Sequence, residues 1–222
     1  MSIILTLIPI IIAYLLGGIP FGFIVSRIFG VKDIRSQGSG NIGATNVYRV
    51  AGFRAAIWVY LGDVGKGVVA VVVARYFAGH FDLALFSRDA LLVVGALAVV
   101  LGHVFPVYLG FRGGKGVNTA LGAMIILLPL ETLAGFVIFI VVVVASRFVS
   151  LGSMAGAVSL FVFVVVERYL MAYEIAAIYV YLTFTVALLI VITHRRNIGR
   201  LISGTENRFS FSSKSSKEGS HV

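Results

Sequence analysis

Four corners of this 222-residue chain gather glycine or small polar residues beside a cation, at spacings that suit an anion. The first, VKDIRSQGSGNIGATNVYRVAGFR, interleaves Gly38, Gly40 and Gly43 with Ser39, Asn41, Thr45 and Asn46 and closes on Arg49. Glycines let a backbone turn tightly and bring several N–H groups to one anion. Serine, asparagine and threonine add neutral hydrogen bonds, and arginine adds a planar fork matched to phosphate. The same composition also suits a flexible polar loop at a membrane surface. The second corner, GHVFPVYLGFRGGKGVNTA, sets Gly113, Gly114 and Gly116 around Lys115 just ahead of an apolar run. Backbone N–H groups, a helix N-terminus and an ammonium converge there. The third is Ser146–Arg147, with Ser150 and Ser153 following. The fourth closes the last apolar run with His194, Arg195, Arg196, Asn197 and Arg200. His194 and Asn197 are three apart and share a helical face.

Other chemistries fit less well. Gly38-Ser-Gly40-Asn-Ile-Gly43 matches G-x-G-x-x-G, with Asp63 about twenty residues on. That fingerprint needs a preceding strand in a βαβ unit, whereas an apolar run long enough to cross a bilayer precedes it here. Gly114-Lys115 is no Walker loop, because Leu109 stands where the first glycine belongs and Gly116 follows the lysine. The His-x4-Asp acyltransferase pattern is missing: Leu85, Tyr108 and Gly199 fall in the fifth place after His80, His103 and His194. Cysteine is absent, which excludes disulfides, thiolate metal sites and cysteine nucleophiles. Asp63 and Lys66 pair on one helical face inside an apolar run. Such charges suit either function or the docking of one helix into a bundle. His103, beside Gly102, suits a hydrogen-bonded bundle histidine or a ligand contact.

The elements that must position these corners are membrane helices. Hydrophobic residues make up 59% of the chain and charged residues 12%, with mean hydropathy +1.05. A soluble domain carries roughly twice that charge. Residues 3–26, 55–77, 90–111, 116–130, 132–145, 148–166 and 175–193 read as seven spans of an all-α polytopic bundle. A tight hairpin over 129–132 separates the two short middle spans and takes Glu131 out of lipid. The net charge of +9 is asymmetric. With the N-terminus outside, Arg27, Lys32, Arg35, Arg49, Arg54, Arg112, Lys115, Arg147 and the basic C-terminal end fall on the cytoplasmic side. One membrane domain over 1–207 and a polar, disordered cytoplasmic tail over 208–222 follow.

At GSGNIGATN, GHVFPVYLGFRGGKG and HRRNIGRLISGTE, with GGIPFG and DVGKG in support, the chain resembles the bacterial acyl-phosphate-dependent glycerol-3-phosphate acyltransferases, the PlsY family. The resemblance spans about residues 1–207. It implies a seven-span inner-membrane enzyme with a cytoplasmic active site. The implied reaction moves a fatty acyl group from acyl phosphate to the 1-hydroxyl of glycerol 3-phosphate, giving lysophosphatidic acid and phosphate. Ser39, Asn41 and Lys115 would be catalytic, with Arg49, Ser146 and Arg147 on phosphate and His194 and Asn197 on glycerol 3-phosphate. Gly38, Gly40, Gly43, Thr45, Asn46, His103, Gly113, Gly114 and Gly116 would complete the binding surface. The resemblance implies no metal, no cofactor, no acyl-enzyme and no nucleic acid. Membrane lipid and an acyl-phosphate-producing enzyme are the implied partners. In the proposed substrate-assisted route the donor's own phosphate accepts the hydroxyl proton. Read without the resemblance, the residues also admit an anion transporter, a headgroup-binding scaffold, or a transferase using acyl-CoA or acyl-carrier protein.

Overall fold

The computed structural model describes residues 2–171 and 174–209, and the described chain is helical throughout. In lipid, backbone N–H and C=O groups must be satisfied within the segment, so the long Val/Ile/Ala/Leu runs become helices despite their β-branched content. α1 (Ser2–Gly18) and α2 (Phe21–Ile28) together form one 26-residue apolar unit, jogged at Ile19–Pro20. α3 (Ala44–His80) runs 37 residues and breaks at Gly52, whose φ of 83° and ψ of −179° are non-helical. α4 (Arg88–Val104) starts on a Ser87 hydroxyl that accepts the Ala90 N–H at 3.3 Å. α5 (Val117–Leu127), α6 (Pro129–Ser146) and α7 (Val149–Tyr169) follow. α8 (Ala177–Thr193) and α9 (Arg195–Ile202) are bent by 58° at His194.

α4 is the most enclosed of the long helices and touches α1, α3, α5 and α8. α5 packs on α3, whereas α6 packs on α7 and α7 on α8. Small residues permit these close crossings, as membrane interfaces require. Gly67 and Gly122 meet backbone where α3 crosses α5, and Gly135 and Gly156 do so between α6 and α7. Val99, Val100, Ala120, Met124, Leu182 and Val186 fill the space between.

Each of the seven expected spans contains helix, but the segments differ in reach. Five are long and apolar enough to cross a membrane among the described residues, or six if the bent α8–α9 pair counts as one. α5, with 11 residues, rises only about 16 Å, roughly half a bilayer core. The expected hairpin over 129–132 is instead the first turn of α6. The break is the single residue Leu128, and Pro129 sits at the helix start, where its missing N–H costs nothing. Arg208 stacks over the Phe148 ring, and the Phe209 N–H donates to the Arg147 carbonyl at 2.7 Å. The rest of the expected tail, from 210, lies outside the described residues.

Candidate active site

The glycine-rich stretch reaches its shape through asparagine. Asn46, buried on the first turn of α3, accepts the Ser39 N–H at 2.7 Å. Its amide donates to the carbonyls of Gln37 and Asn41 at 3.0 and 2.9 Å, so it staples the loop from inside. Asn41 Oδ1 accepts the Gly43 N–H at 2.8 Å and shapes the entry to the helix. Gly38 takes φ +60°, and a Cβ there would strike Asn46 Oδ1. The helix opens at Ala44, so Thr45, Asn46 and Arg49 stand on helical turns rather than in a loop. The Ser39 hydroxyl forms no hydrogen bond among the described residues and borders a cavity.

That cavity, about 280 Å³, lies where α3, α5, α6, α7 and α8 meet. Its polar end is bordered by Ser39, Asn41, Thr45, Asn46, Arg49, His103, Lys115, His194, Asn197 and Glu206. The N-terminal turns of α3 and α5 both face it through Gly43–Thr45 and Gly116–Asn118. Each offers unsatisfied N–H groups and a partial positive charge. The rest of its lining is mainly apolar, with Leu121, Met124, Phe136, Phe139, Leu160, Val186 and Ile190 interrupted by Asp63, Thr132 and Ser153. Along α8 this wall runs two turns from His194 to Val186, about 12 Å.

A hydrogen-bonded chain crosses the polar end. Lys115 Nζ donates to Asn197 Oδ1 at 2.6 Å, and Asn197 Nδ2 donates to Glu206 Oε1 at 2.6 Å. The Ser150 hydroxyl also donates to Oε1 at 2.8 Å, while Arg200 Nε pairs with Oε2 at 2.6 Å. Burial pushes the Glu206 carboxyl up, but the bonds from Arg200, Asn197 and Ser150 outweigh it and leave the group below its ordinary value. Burial lowers Lys115 to about 8, aided by Arg200 and Arg49 and opposed by Glu206. Lys115, Arg49 and Arg200 thus surround Glu206, while Asp63, the other carboxylate on the wall, is paired with Lys66. His194 is buried, with Nδ1 at 2.8 Å from the Ile190 carbonyl. A carbonyl can only accept, so Nδ1 carries the hydrogen and Nε2 is left as acceptor in the neutral ring.

Asp63 and His103, both on the cavity wall, meet Lys66 behind it: Lys66 Nζ ion-pairs with Asp63 Oδ1 at 2.8 Å, lies 2.8 Å from His103 Nδ1 and donates to the Ile19 carbonyl at 3.1 Å. The last is the carbonyl exposed by the jog between α1 and α2. His103 Nδ1 lies between Lys66 Nζ and Asp63 Oδ1, 3.4 Å from the latter, and its ring rests against Gly114, where no Cβ would fit.

Not every expected residue reaches the cavity wall. Gly38, Gly40, Gly113 and Gly114 lie behind it and shape the backbone. Gly116, at φ +84°, caps α5 on the wall itself. The Ser146 hydroxyl is spent on the Val142 carbonyl at 2.6 Å and the Phe148 N–H at 3.1 Å. Arg147 ends α6 with φ +63° and does not border the cavity. Sequence reasoning assigned no role to Glu206 and none to Ser150. Gly204, at φ +70°, was the available signal, because it turns the chain after α9 back onto the site.

An all-helical membrane protein with a cationic, amide-rich end joined to an apolar channel is suited to a ligand that is phosphate at one end and hydrocarbon at the other. The model of the family described as glycerol-3-phosphate acyltransferase matches residues 7–204. The chain is 44% identical over 198 residues to the glycerol-3-phosphate acyltransferase of Geobacter sulfurreducens, covering 89% of this chain and 94% of that one. It is 43% identical to that of Syntrophotalea carbinolica at the same coverage. Among solved structures, a crystal structure of PlsY, an integral membrane glycerol 3-phosphate acyltransferase in its glycerol 3-phosphate form, matches with a TM-score of 0.81. Identity is 37%, over 92% of this chain and 96% of that one. The chain therefore belongs to the glycerol-3-phosphate acyltransferase family of integral membrane enzymes, the PlsY family.

Proposed function

We propose that this enzyme transfers a fatty acyl group from acyl phosphate to the 1-hydroxyl of glycerol 3-phosphate, at the cytoplasmic face of the bacterial inner membrane. Seven membrane segments, an outside N-terminus and a cytoplasmic C-terminus complete the reading. The observation that carries it is one continuous cavity lined by Lys115, Arg49, two helix N-termini and a mainly apolar wall. Phosphate suits the first end and an acyl tail the second.

The hydroxyl oxygen attacks the acyl carbonyl, the bond from that carbon to the phosphate oxygen breaks, and the hydroxyl proton passes to the departing phosphate. The products are lysophosphatidic acid and inorganic phosphate. An acyl phosphate is already an activated anhydride, so orientation and stabilisation of developing charge supply most of the catalysis. Lys115, Arg49 and the N–H groups of α3 and α5 hold phosphate and offset that charge. The uncommitted Ser39 hydroxyl and Asn41 orient the reacting groups. His194 and Asn197 seat glycerol 3-phosphate, and Nε2 of the neutral His194 ring accepts from a glycerol hydroxyl. The Arg147 carbonyl, which accepts the Phe209 N–H, anchors the segment that returns Glu206. A separate enzyme that makes acyl phosphate supplies the donor.

Purified enzyme in proteoliposomes, given radiolabelled glycerol 3-phosphate and in turn acyl phosphate, acyl-CoA or acyl-carrier protein, tests this directly. Lysophosphatidic acid is expected from acyl phosphate. Lys115→Ala and Ser39→Ala are each expected to lower kcat/KM by about 10²-fold. Full activity in both variants, or equal use of the other donors, would overturn the reading.

A further inference from the structure

Three buried side chains to which the proposed chemistry gives no part meet beside the site: Asp63 and Lys66 of α3 and His103 of α4. Lys66 Nζ lies 2.8 Å from both Asp63 Oδ1 and His103 Nδ1, and it donates to the Ile19 carbonyl at the jog after α1. Docking helices needs no such cluster, since apolar side chains of similar volume often replace a buried ion pair at no cost in stability. This cluster has a second contact that docking does not require. α4 ends at His103 and Val104, whose carbonyls accept the N–H groups of Gly114 and Gly113, each at 3.1 Å. The His103 ring closes on the same turn from the side: a Cβ at Gly114 would land on Nε2 and lie 2.9 Å from Cε1. Nδ1 faces Lys66 and Asp63 while the Nε2 edge packs on Gly114, so the ring is wedged between the ion pair and the turn.

That turn carries the groups proposed to hold phosphate. Lys115 follows Gly114, its carbonyl accepts the Thr193 hydroxyl at 3.2 Å, and Gly116 caps α5. A Cβ at Gly116 would lie 3.0 Å from Val100 Cγ1, so this end of the turn rests on α4 as well. We propose that Lys66 is a positioning residue: with Asp63 it fixes the His103 ring, and the ring fixes the turn over 113–116 that aims Lys115 and the first N–H groups of α5 at phosphate. This role rests on the reading above that those groups hold phosphate, and adds what holds them. A misplacement of about 1 Å can cost about 10²-fold in rate, so a ring free to move is felt at the phosphate before it is felt in the fold.

Asp63→Leu combined with Lys66→Met removes the clamp, keeps the volume and separates the two uses of the cluster. In detergent this pair is expected to melt close to wild type. In proteoliposomes with acyl phosphate its kcat/KM for glycerol 3-phosphate should fall by about tenfold or more. In the wild type KM should rise above pH 8 as Lys115, lowered to about 8 by burial, loses its charge. In the pair that rise should move to higher pH, because a loosened turn lets water reach the ammonium. A stable pair with wild-type kcat/KM overturns the positioning role and leaves acyl transfer standing. So does a loss of rate with the alkaline limb unmoved, which would put the fault in helix docking. Should the pair fail to fold, a second cycle decides. Gly114→Ala drives a methyl into the ring and should lower kcat/KM by about tenfold. His103→Asn keeps a polar group near the place of Nδ1 and vacates the far side of the ring. With both changes the methyl fills that space, and the double variant should be more active than Gly114→Ala alone. Losses that simply multiply overturn the proposal. Wild-type protein that forms no lysophosphatidic acid from acyl phosphate would overturn the functional reading itself, and this role with it.

Discussion

Lys115 combines two properties that pull against each other. Burial holds its ammonium near a pKa of about 8, yet the proposed role needs it charged when phosphate arrives. Below that value the free enzyme carries the charge, and above it a proton must be taken up on binding. A phosphate monoester is already a dianion above its second pKa of about 6, so the enzyme's own group sets the alkaline limb. KM for glycerol 3-phosphate is therefore expected to climb above pH 8, approaching about tenfold per pH unit. In Lys115→Arg, whose guanidinium stays charged, the climb should disappear even though geometry lowers the absolute rate. Asp63 makes a second case at this scale. Asp63→Ala strands the buried Lys66 ammonium, and removing one partner of a buried ion pair costs about 3–5 kcal/mol. Unfolding in detergent should record that loss, and Asp63→Leu with Lys66→Met should recover most of it.

Between elements, the break in α3 decides where Thr45 and Arg49 stand. Gly52 holds a backbone conformation that side chains tolerate poorly, at a cost of about 1–3 kcal/mol for a non-glycine residue. Gly52→Ala is expected to relieve that strain by straightening residues 44–51 onto the rest of the helix, which swings Arg49 away from Lys115. The measurement is kcat/KM for glycerol 3-phosphate beside melting temperature, with activity falling further than stability. Gly65→Ala, on the same helix in open space, should leave activity intact and stabilise the helix by about 0.5–1 kcal/mol. The bend at His194 works in the same sense: α8 brings the ring to the cavity, and α9 with Gly204 returns Glu206 to Asn197.

For the whole molecule, charge asymmetry and site position make one statement about orientation. Lys115, Arg49, Asn197 and Glu206 cluster at one end of the bundle, on the side where the sequence collects its basic residues. Single thiols report this in intact cells. His80→Cys, exposed at the end of α3, should react with an impermeant maleimide from outside, and Ser203→Cys, exposed after α9, only after permeabilisation. The reverse pattern would turn the active site to the periplasm and contradict the proposed topology.

Composition and hydropathy sufficed for a helical membrane protein, because lipid leaves an apolar run of twenty residues few other ways to satisfy its backbone. The glycine, serine and lysine corners were legible for the same local reason: few other uses need those residue types together. Long-range contacts were not. Nothing in the spacing of Glu206 from Lys115 told that Asn197 joins them, nor that Asn46 staples a loop by accepting the Ser39 N–H while the Ser39 hydroxyl has no hydrogen bond among the described residues. Ser146 and Arg147 share the corner chemistry, yet one hydroxyl caps its own helix and the guanidinium is off the cavity wall. The middle segments likewise read alike by hydropathy, and packing of α5 on α3 and α6 on α7 separated them. Hydropathy is a property of each segment and is written along the chain. Which carboxylate meets which cation, and where a cavity forms between helices, depend on how helices cross, and that is decided only when the bundle closes.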